Sequence, residues 1–507
     1  MRLEISKVQE QLDEAVTILN LQLDNLLGRE QSSIKTELRA ISLTDLRRVV
    51  QFVKYKCEAY GWVDQRSKEV VSNAKEVNLY HLVYNFVGPV TAPVGHEVVD
   101  DSVKIGPDDA APGGEAYWRE HKGKRRLRYT RGFPPGPAVG ERDKFVRTFS
   151  GSFAELLWNE ERQAEWFVSH YWGEPVVDFV TCLVEHDEVY MLAGKALYWV
   201  CAYANSQTHI GEELGTEGPL RSPFFRALQL AKGAVLVIDA ASEVTRRMWC
   251  GFENVVINRE NTMLVLATAF RRGGHVLTAS PAPADHGQKS SLGEEMSPEE
   301  AQAERQDPFP EARLHDATKT DLEKAEASNE DDKKTIIEVV KGELGGFEQA
   351  SSKLRVLGSA ALFSIGKVTS ESVSAMNAAA EPFALSGRCT TFESAAPLGL
   401  RLRHCCGLTL GCEEIGNAGL QALGQGLGQA SALQSVNLNF RSCEEIGNAG
   451  LQALGQGLGQ ALPALQSVHL NFRDCEKIGD AGLQALGQGL GRLPALQSVH
   501  LCLPCSQ

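Results

Sequence analysis

A glutamate lies four residues after a tryptophan in the segment RRMWCGFENVV, residues 246–256. Apolar residues recur around this glutamate, Glu253, at the spacing of one helix face. The pattern leaves two interpretations of the carboxylate. It is either a surface group at the edge of a buried face or a catalytic group.

Residue arrangements for other chemistries are missing from the sequence. Ser169 and His170 are neighbours in an apolar run, and neighbours on a strand point to opposite faces, so they do not form a nucleophile–base pair. The chain lacks the phosphate-binding pattern GxxxxGK followed by Ser or Thr, and it lacks kinase and zinc-protease signatures. We expect no required cofactor.

Strand-like and helix-like segments alternate around Glu253. Helical patterns follow Pro175 and Ser222, and Gly233 is a predicted helix stop. Such alternation predicts a parallel sheet covered by helices. The run HVLTAS (275–280) follows too closely to be placed as a fifth strand with its own helix. The four predicted strands are AEWFVSH (164–170), ALYWVCAYA (196–204), AVLVID (234–239) and NTMLVLAT (261–268).

Four of these segments together resemble a divergent TIR domain, the Toll/interleukin-1-receptor module, over about 165–270. They are WFVSHYWGEP, YWVCAYAN, LQLAKGAVLVID and MWCGFENVV. The resemblance implies a flavodoxin-like parallel sheet and self-association into a homo-oligomer. In enzymatically active members the glutamate of Trp-Cys-x-x-Glu is required to cleave NAD at the nicotinamide–ribose bond, which implies a catalytic role for Glu253. Many TIR domains are adaptors that only self-associate, and both alternatives stay open here.

The resemblance also implies a ligand pocket near the segment that begins at Ser169. Ligands of open parallel sheets bind beyond the carboxyl ends of the strands, where Ser169, Asn205 and Asp239 are expected. Trp172 or Trp249 would then stack on the nicotinamide. NAD is therefore a candidate substrate, as an NAD+ nucleosidase activity would require.

The last hundred or so residues repeat. The unit CEEIGNAGLQALGQGLGQ occurs at 412–429 and 443–460, and CEKIGDAGLQALGQGLGR follows at 475–492. Short strands are predicted after them at 433–440, 465–472 and 496–503. The pattern resembles the leucine-rich repeat of the ribonuclease-inhibitor type, which implies a short α/β solenoid whose strands line a concave face. The preceding HCCGLTLG does not align in the same register and is interpreted as an irregular first unit.

The side chains between the apolar strand positions are expected to lie on the concave face, exposed to solvent, and to bind a protein partner there. This row is polar and nearly neutral, whereas ribonuclease inhibitors hold a basic enzyme, so we doubt ribonuclease inhibition. The acidic pairs precede the helices instead, at 413–414 and 444–445. The predicted partner-binding residues are Asn437, Asn439, His469, Asn471 and His500, with Cys502 in the same row.

We predict no metal site. Cys412, Cys443 and Cys475 recur once per repeat, which gives a ladder of small buried thiols rather than a tetrahedral cluster. Only Cys502 and Cys505 have a spacing close to that of zinc ligands.

Two features weaken the predicted array. Gly424, Gly426 and Gly428 each cost a helix about 1 kcal/mol relative to alanine. The last strand also leaves an open edge, so either a partner covers it or the array is truncated there.

The N-terminal region is predicted to be helical. Residues 3–27 have a heptad-like pattern, which indicates a helix packed on its own protein or a self-associating coiled coil. A second helix is predicted at 43–60. The basic cluster between 121 and 131 is interpreted as part of a hairpin or loop, with phosphate or import-receptor binding as the alternative. It consists of Lys122, Lys124, Arg125, Arg126, Arg128 and Arg131.

The predicted architecture is a multidomain α/β chain. A net charge of −14 disfavours nucleic-acid binding. No signal-peptide core or run of about 18 apolar residues was found, so we expect no membrane partner, a cytoplasmic location and free thiols. The predicted parts are a helical N-terminal region (1–87), a Gly/Pro-rich basic segment (88–145), the TIR-like domain (146–278), an acidic disordered linker (279–331), a helical Ala/Ser-rich connector (332–400) and the repeats (401–507).

The sequence thus leads to a first hypothesis of an intracellular signalling or recognition protein without enzymatic activity. An NAD hydrolase that uses Glu253 is the second hypothesis. The third is a plain repeat-based scaffold whose α/β domain has an unrelated ligand.

Overall fold

A computed structural model describes most of the chain, and its contacts divide the chain into two units. The first unit is Met1–Val184 with Leu192–Val235, and the second is Glu185–Met191 with Leu236–Gln507. The described residues are 14–21, 34–64, 66–91, 117–121, 124–128, 151–207, 213, 218–260, 262–278, 280–289, 293, 295–296, 298–319, 321–327, 330–364, 383–389, 405–412, 414–460 and 462–504. The predicted heptad helix and Cys505 therefore lie largely or wholly outside them, although residues 14–19 are helical.

The first unit is built on a mixed sheet with the neighbour order β1, β7, β6, β8. β6 runs parallel to β7, and Trp166 lies opposite Tyr198. β1 is antiparallel to β7, with Ile41 opposite the same tyrosine. The prediction of a purely parallel sheet was wrong in this respect. The strands are β1 (Ile41–Ser42), β2 (Trp62–Val63), β3 (Val70–Val71), β4 (Tyr117–His121), β5 (Lys124–Arg128), β6 (Trp166–Ser169), β7 (Leu197–Trp199) and β8 (Gly233–Val237).

Two short antiparallel pairs lie outside this sheet, β2 with β3 and β4 with β5. The second pair confirms the hairpin interpretation for part of the basic segment.

The helices of the first unit begin where capping residues allow. Ser42 Oγ accepts the backbone N–H of Asp45, and the Asp45 carboxylate accepts the backbone N–H of Ser42. This reciprocal pair is a capping box at the start of α1. Ser222 caps α7 with Pro223 at its first position, as predicted. The helices are α1 (Leu43–Ala59), α2 (Leu79–Leu82), α3 (Gly88–Thr91), α4 (Phe153–Leu157), α5 (Val176–Val189, which ends in the second unit), α6 (Cys201–Ala204) and α7 (Pro223–Leu230). A π-helical turn, Val83–Val87, joins α2 to α3.

Two boundaries differ from the prediction. The strand predicted over 196–204 ends at Trp199, and Cys201–Ala204 forms a helical turn. Both parts are almost entirely buried, so the apolar run carries no periodicity that separates strand from helix. Gly233 does not stop α7, which ends at Leu230; it is the first residue of β8.

Residues 34–42 belong to the same unit as the predicted α/β domain. The buried guanidinium of Arg39 donates to the carbonyls of Ile34 and Ala204 at 2.9–3.1 Å and pairs with Glu213 at 2.6 Å. Trp199 Nε1 donates to the Thr36 carbonyl at 2.9 Å. The structure therefore differs from the predicted boundary between an N-terminal region and an α/β domain.

The second unit continues from the end of β8. Ile238 donates its backbone N–H to the carbonyl of Ala267 at 2.8 Å, next to β9 (Met263–Phe270). β10 (Gly273–Leu277) follows after a tight turn and pairs antiparallel with β9. HVLTAS is thus partly an antiparallel strand, which needs only a short turn where a parallel strand would need a long crossover.

The predicted disordered linker differs most from the structure. Arg305 on α9 donates to both carboxylate oxygens of Asp285 at 2.8 Å and to the Val276 carbonyl at 2.7 Å. These bonds hold the described part of the segment together, although its composition suggested disorder. The helices of this part are α8 (Met248–Arg259), α9 (Pro298–Gln306), α10 (Glu311–Thr318), α11 (Glu330–Gly342) and α12 (Gly346–Ser364).

The repeats form a parallel five-stranded sheet in the order β11 to β15. Equivalent residues are opposite each other: Val436, Val468 and Val499 form one row. Residues 405–411 of HCCGLTLG lie in β12, with Leu408 opposite Val436, so the interpretation of this segment as out of register was wrong. The elements are β11 (Phe383–Cys389), β12 (Cys405–Cys412), α13 (Asn417–Leu427), β13 (Ser435–Asn439), α14 (Asn448–Leu458), β14 (Ser467–Asn471), α15 (Asp480–Leu490) and β15 (Ser498–Cys502).

The repeat glycines permit close contact between neighbouring helices. A Cβ added to Gly457 would lie 2.6 Å from the Cα of Gly424, and one added to Gly489 would lie 2.8 Å from the Cα of Gly455. The glycines counted as a helix weakness are therefore partly a packing requirement. Asn417 contributes a second link, because its Oδ1 accepts the N–H groups of Gly447 and Gly450 at the start of α14.

Short 3-10 turns connect several of these elements, at Thr36–Leu38, Pro219–Arg221, Glu243–Arg246, Pro283–Asp285 and Leu322–Lys324. Across the described residues, none of the helices combines the length and the apolar character needed to cross a membrane.

Candidate functional site

The predicted partner-binding residues lie on one face of the repeat sheet, which we call the strand face. It consists of Asn437, Asn439, His469, Asn471, His500 and Cys502. Asn437, His469 and His500 are opposite one another on β13, β14 and β15. The leucines and valines between them on β13 and β14 are buried, while the strand-face side chains are half-buried or exposed. The structure therefore brings the five predicted residues together with Cys502.

Part of the strand face is engaged in turns. Asn439 Oδ1 accepts the backbone N–H of Arg441 at 3.1 Å, and Asn471 Oδ1 accepts that of Arg473 at 3.0 Å. These two amides shape the chain as it leaves the strand. Asn437, His469 and His500 form the central row of the face.

The two histidines stack on each other. Their ring centroids are 4.4 Å apart with an interplanar angle of 29°. Cys502 Sγ lies 3.5 Å from Nε2 of His500. The three potential ligand atoms lie within 4.8 Å of one another. Sequence reasoning placed these residues in one row but did not consider them as a group, although repeat spacing and strand alternation were enough to align them.

The last strand presents an apolar edge. Val499 is 46% exposed and Leu501 is 39% exposed, whereas the equivalent Val468 and Leu470, which lie opposite them on β14, are buried. The sheet order places β15 at one edge. This edge is a surface on which another chain segment could pack.

The cysteine ladder is structural. Cys443 Sγ donates to the Cys412 carbonyl at 3.3 Å, and Cys475 Sγ donates to the Phe440 carbonyl at 3.0 Å. Burial raises the pKa of the Cys475 thiol to about 11, so the thiol stays protonated near neutral pH. The interpretation of these residues as small buried thiols is confirmed.

In the first unit, the predicted pocket residues Ser169 and Asn205 are fully buried. Ser169 ends β6 at its carboxyl end, as predicted, whereas Asn205 follows the helical turn α6 rather than a strand. The Oδ1 and Nδ2 atoms of Asn205 and the hydroxyl of Tyr203 have no hydrogen-bond partner among the described residues. Buried polar atoms of this kind are normally satisfied by water or a ligand. Sequence reasoning missed Tyr203 because it lies in an apolar run.

Trp172 is held in the same unit. Its Nε1 donates to Cys201 Sγ at 3.2 Å, and its ring contacts Tyr80 edge-on. The neighbouring His170 packs against Phe179, and burial lowers the pKa of the imidazole to about 4. His170 is therefore neutral near pH 7 and does not act as a cation there.

The remaining predicted pocket residues, Asp239, Trp249 and Glu253, lie in the second unit. Asp239 accepts backbone N–H bonds from Ala241 at 3.1 Å and Val244 at 2.9 Å, so it shapes the turn after β8. Trp249 packs edge-on against Phe252. Glu253 lies on α8 and is 9% exposed, so its side chain is largely buried.

Comparison with known proteins concerns the repeats alone. Residues 468–487 match the family model described as Leucine Rich repeat, and they cover all but the first residue of β14 and most of α15. No curated protein matches the chain. The match supports leucine-rich repeats in this chain, a type of repeat that commonly mediates protein binding.

Proposed function

We propose that this protein binds a protein partner through the strand face, with the repeats forming a short solenoid whose concave side is that face. The observation that carries the proposal is the in-register row Asn437, His469 and His500. These side chains stand outside a buried layer of Val436, Leu438, Val468 and Leu470. Such a row is available to a partner because the fold does not bury it.

The chemistry of the row indicates the kind of partner. Amide and imidazole groups donate and accept hydrogen bonds but supply little net charge near pH 7. A strongly basic partner would need acidic contacts, and this row has none. We therefore expect a partner with polar, largely uncharged groups, and an affinity that depends only weakly on salt. The free cysteines among the described residues suit a cytoplasmic setting.

A matched pair of variants tests this proposal in the full chain. The first replaces Asn437, His469 and His500 by alanine. The second replaces Gln421, Gln452 and Gln484, which are exposed at equivalent positions of the three repeat helices. Partners captured by the wild-type protein are identified, and each is purified and titrated against all three proteins in the presence of a metal chelator.

The strand-face variant should bind the purified partner at least about tenfold more weakly, which corresponds to about 1.4 kcal/mol. The helix variant should bind within about twofold of wild type. Equal binding by the strand-face variant, or an equal loss in the helix variant, would contradict the proposal.

A second candidate function is assembly-dependent NAD cleavage by Glu253 in a self-associating TIR-like module. The low exposure of Glu253, on the helix that follows the Asp239 turn, favours it over a surface role for this carboxylate. A poorly solvated carboxylate can stabilise the oxocarbenium-like state of glycosidic cleavage. Nicotinamide release from NAD is measured for concentrated full-length protein whose self-association is followed by light scattering.

The controls for this second candidate are two conservative variants. Glu253→Gln should abolish release, while Glu260→Gln, at the exposed end of the same helix, should leave it unchanged. No release from self-associated wild-type protein would leave a non-enzymatic interaction protein, and a protein that does not self-associate would leave a plain repeat-based scaffold.

A further inference from the structure

Three side chains with nitrogen or sulfur ligand atoms meet at the edge of the repeat sheet. His469 lies on β14, and His500 and Cys502 lie on β15. The two histidines are opposite each other, and Cys502 is two residues further along the same face. We propose that these three side chains bind one zinc ion. The inference does not depend on partner binding by the strand face.

The measured separations suit zinc. Zinc–sulfur bonds of about 2.3 Å and zinc–nitrogen bonds of about 2.0 Å at tetrahedral angles place sulfur and nitrogen about 3.5 Å apart. Cys502 Sγ and His500 Nε2 are 3.5 Å apart. All the ligand atoms lie within 4.8 Å of one another, so the remaining adjustment is about 1 Å.

This adjustment requires one imidazole to turn. Stacked rings direct their nitrogens along nearly parallel lines, so both reach a single ion only after one ring rotates about its Cβ–Cγ bond. His500 is exposed and His469 is half-buried. Neither ring belongs to the core, and the rotation therefore displaces no core side chain.

The repeat sequence changes toward ligand residues at these positions. The three strands read LQSVNLNF, LQSVHLNF and LQSVHLCL. The first four residues and the sixth are the same in all three. The strand-face positions change from Asn and Asn to His and Asn, and then to His and Cys. Imidazole and thiolate are ligands that zinc prefers, whereas the amide is a poor one.

Cys502 also differs from its equivalents in its surroundings. Asn439 and Asn471 each accept a backbone N–H from the residue two positions later. The residue two positions after Cys502 is Pro504, which has no N–H to donate. The thiol is therefore not required for the turn that its equivalents support.

The proposed site has three protein ligands and leaves a fourth position for water. Zinc would bind the thiolate of Cys502, and the thiol proton would pass to the solvent. Both imidazoles must be neutral to bind. Acid therefore competes with the metal, and the zinc affinity should fall as the pH falls.

The experiment titrates metal into chelator-treated full-length protein. Zinc affinity is measured by competition with a chromophoric chelator, and Co²⁺ is used as a spectroscopic probe of thiolate coordination. The variants His469→Asn and Cys502→Asn carry residues that the chain itself has at equivalent positions, so the strand should tolerate them. Circular dichroism and hydrogen exchange of the repeats check their folding.

Wild type should bind one more equivalent of zinc than either variant, or bind it at least about tenfold more tightly, and Co²⁺ should give a thiolate charge-transfer band that Cys502→Asn removes. His286→Asn, at an exposed histidine, and Cys406→Ser, at a half-buried cysteine of β12, should match wild type. Zinc binding unchanged in both ligand variants, or a chain that binds no zinc at micromolar concentrations, would overturn the proposal.

Discussion

The repeats and the first unit use their polar side chains differently. On the repeat strands the polar residues stand at the surface, and a buried layer of valine and leucine holds the sheet together. In the first unit, Ser169 at the end of β6 and Asn205 after α6 are buried within the core. The central polar row of the repeat strands can therefore change at little cost to the fold, whereas a buried polar side chain of the first unit is part of the packing.

The difference shows how a functional residue can be recognised. A buried polar residue is explained first by its structural partners, as with Asp239 of the second unit, whose carboxylate accepts two backbone N–H groups. A half-exposed row of side chains on a regular sheet makes fewer contacts that the fold requires than a buried polar residue does. The strand face is therefore the better candidate for binding.

The largest loss of stability is expected from a substitution at the contact between two repeat helices. Gly457→Ala should destabilise the repeats by about 3 kcal/mol, because the new Cβ would meet the backbone of Gly424 and the helices would have to separate. Hydrogen exchange of residues 435–471 in the full chain measures the loss. The matched control is Gly487→Ala on the last helix, where an added Cβ meets nothing within 4 Å. It should stabilise α15 by up to about 1 kcal/mol, and equal effects of the two changes would contradict the packing argument.

A smaller effect is expected from acid on the first unit. Burial lowers the pKa of His170 to about 4, while in the unfolded chain it is about 6.5. The unfolded state therefore binds more protons between these values, and stability falls as the pH falls. Between pH 7 and pH 5 this residue should account for about 2 kcal/mol of the loss.

Denaturant unfolding followed by tryptophan fluorescence measures this dependence on pH. His170→Phe should remove this part of the slope, while the exposed His286→Asn should leave the slope as in wild type. A slope unchanged by His170→Phe would contradict a neutral buried imidazole.

The carboxylate of Asp239, in the turn after β8, is expected to contribute less to the free energy of unfolding than His170 does. Asp239→Asn keeps one acceptor oxygen but loses the second, so the unfolding free energy should fall by about 1 kcal/mol. The denaturation midpoint and slope measure this change. A variant as stable as wild type would contradict a structural role for the Asp239 carboxylate and would favour the ligand-binding role that the sequence suggested.

The smallest effect is expected on the strand face. Replacement of Asn437, His469 and His500 by alanine should change stability by less than about 0.5 kcal/mol per site, because these side chains cover no core. The same hydrogen-exchange measurement applies. A large loss of protection in β13 and β14 would show that the face is structural and would remove the contrast with the first unit.

Much of the repeat region could be predicted from the sequence. The unit spacing and the alternation along each strand were sufficient to predict β13, β14 and β15, their in-register stacking and the outward row. The same reasoning missed β12 as a strand in register, because its sequence CCGLTLGC shares only the apolar Leu408 and Leu410 with the later strands.

The first unit was less predictable because its segments are buried on all sides. The apolar run over 196–204 contains both a strand and a helical turn, and no pattern separates them. The pairing of β1 with β7 brings together residues more than a hundred positions apart, and only the folded chain decides such a contact.

The sequence by itself determined the repeat period, the outward polar row, the thiol ladder, the helix that starts at residue 43 and the helix start at Ser222. These follow from local periodicity and from capping chemistry, which act over a few residues. The tertiary structure decided the burial of Glu253, the hydrogen bonds of Asp239, the need for Gly457 and the meeting of His469, His500 and Cys502. Each of these depends on which distant backbone lies alongside, and packing at that distance is not encoded in any one segment.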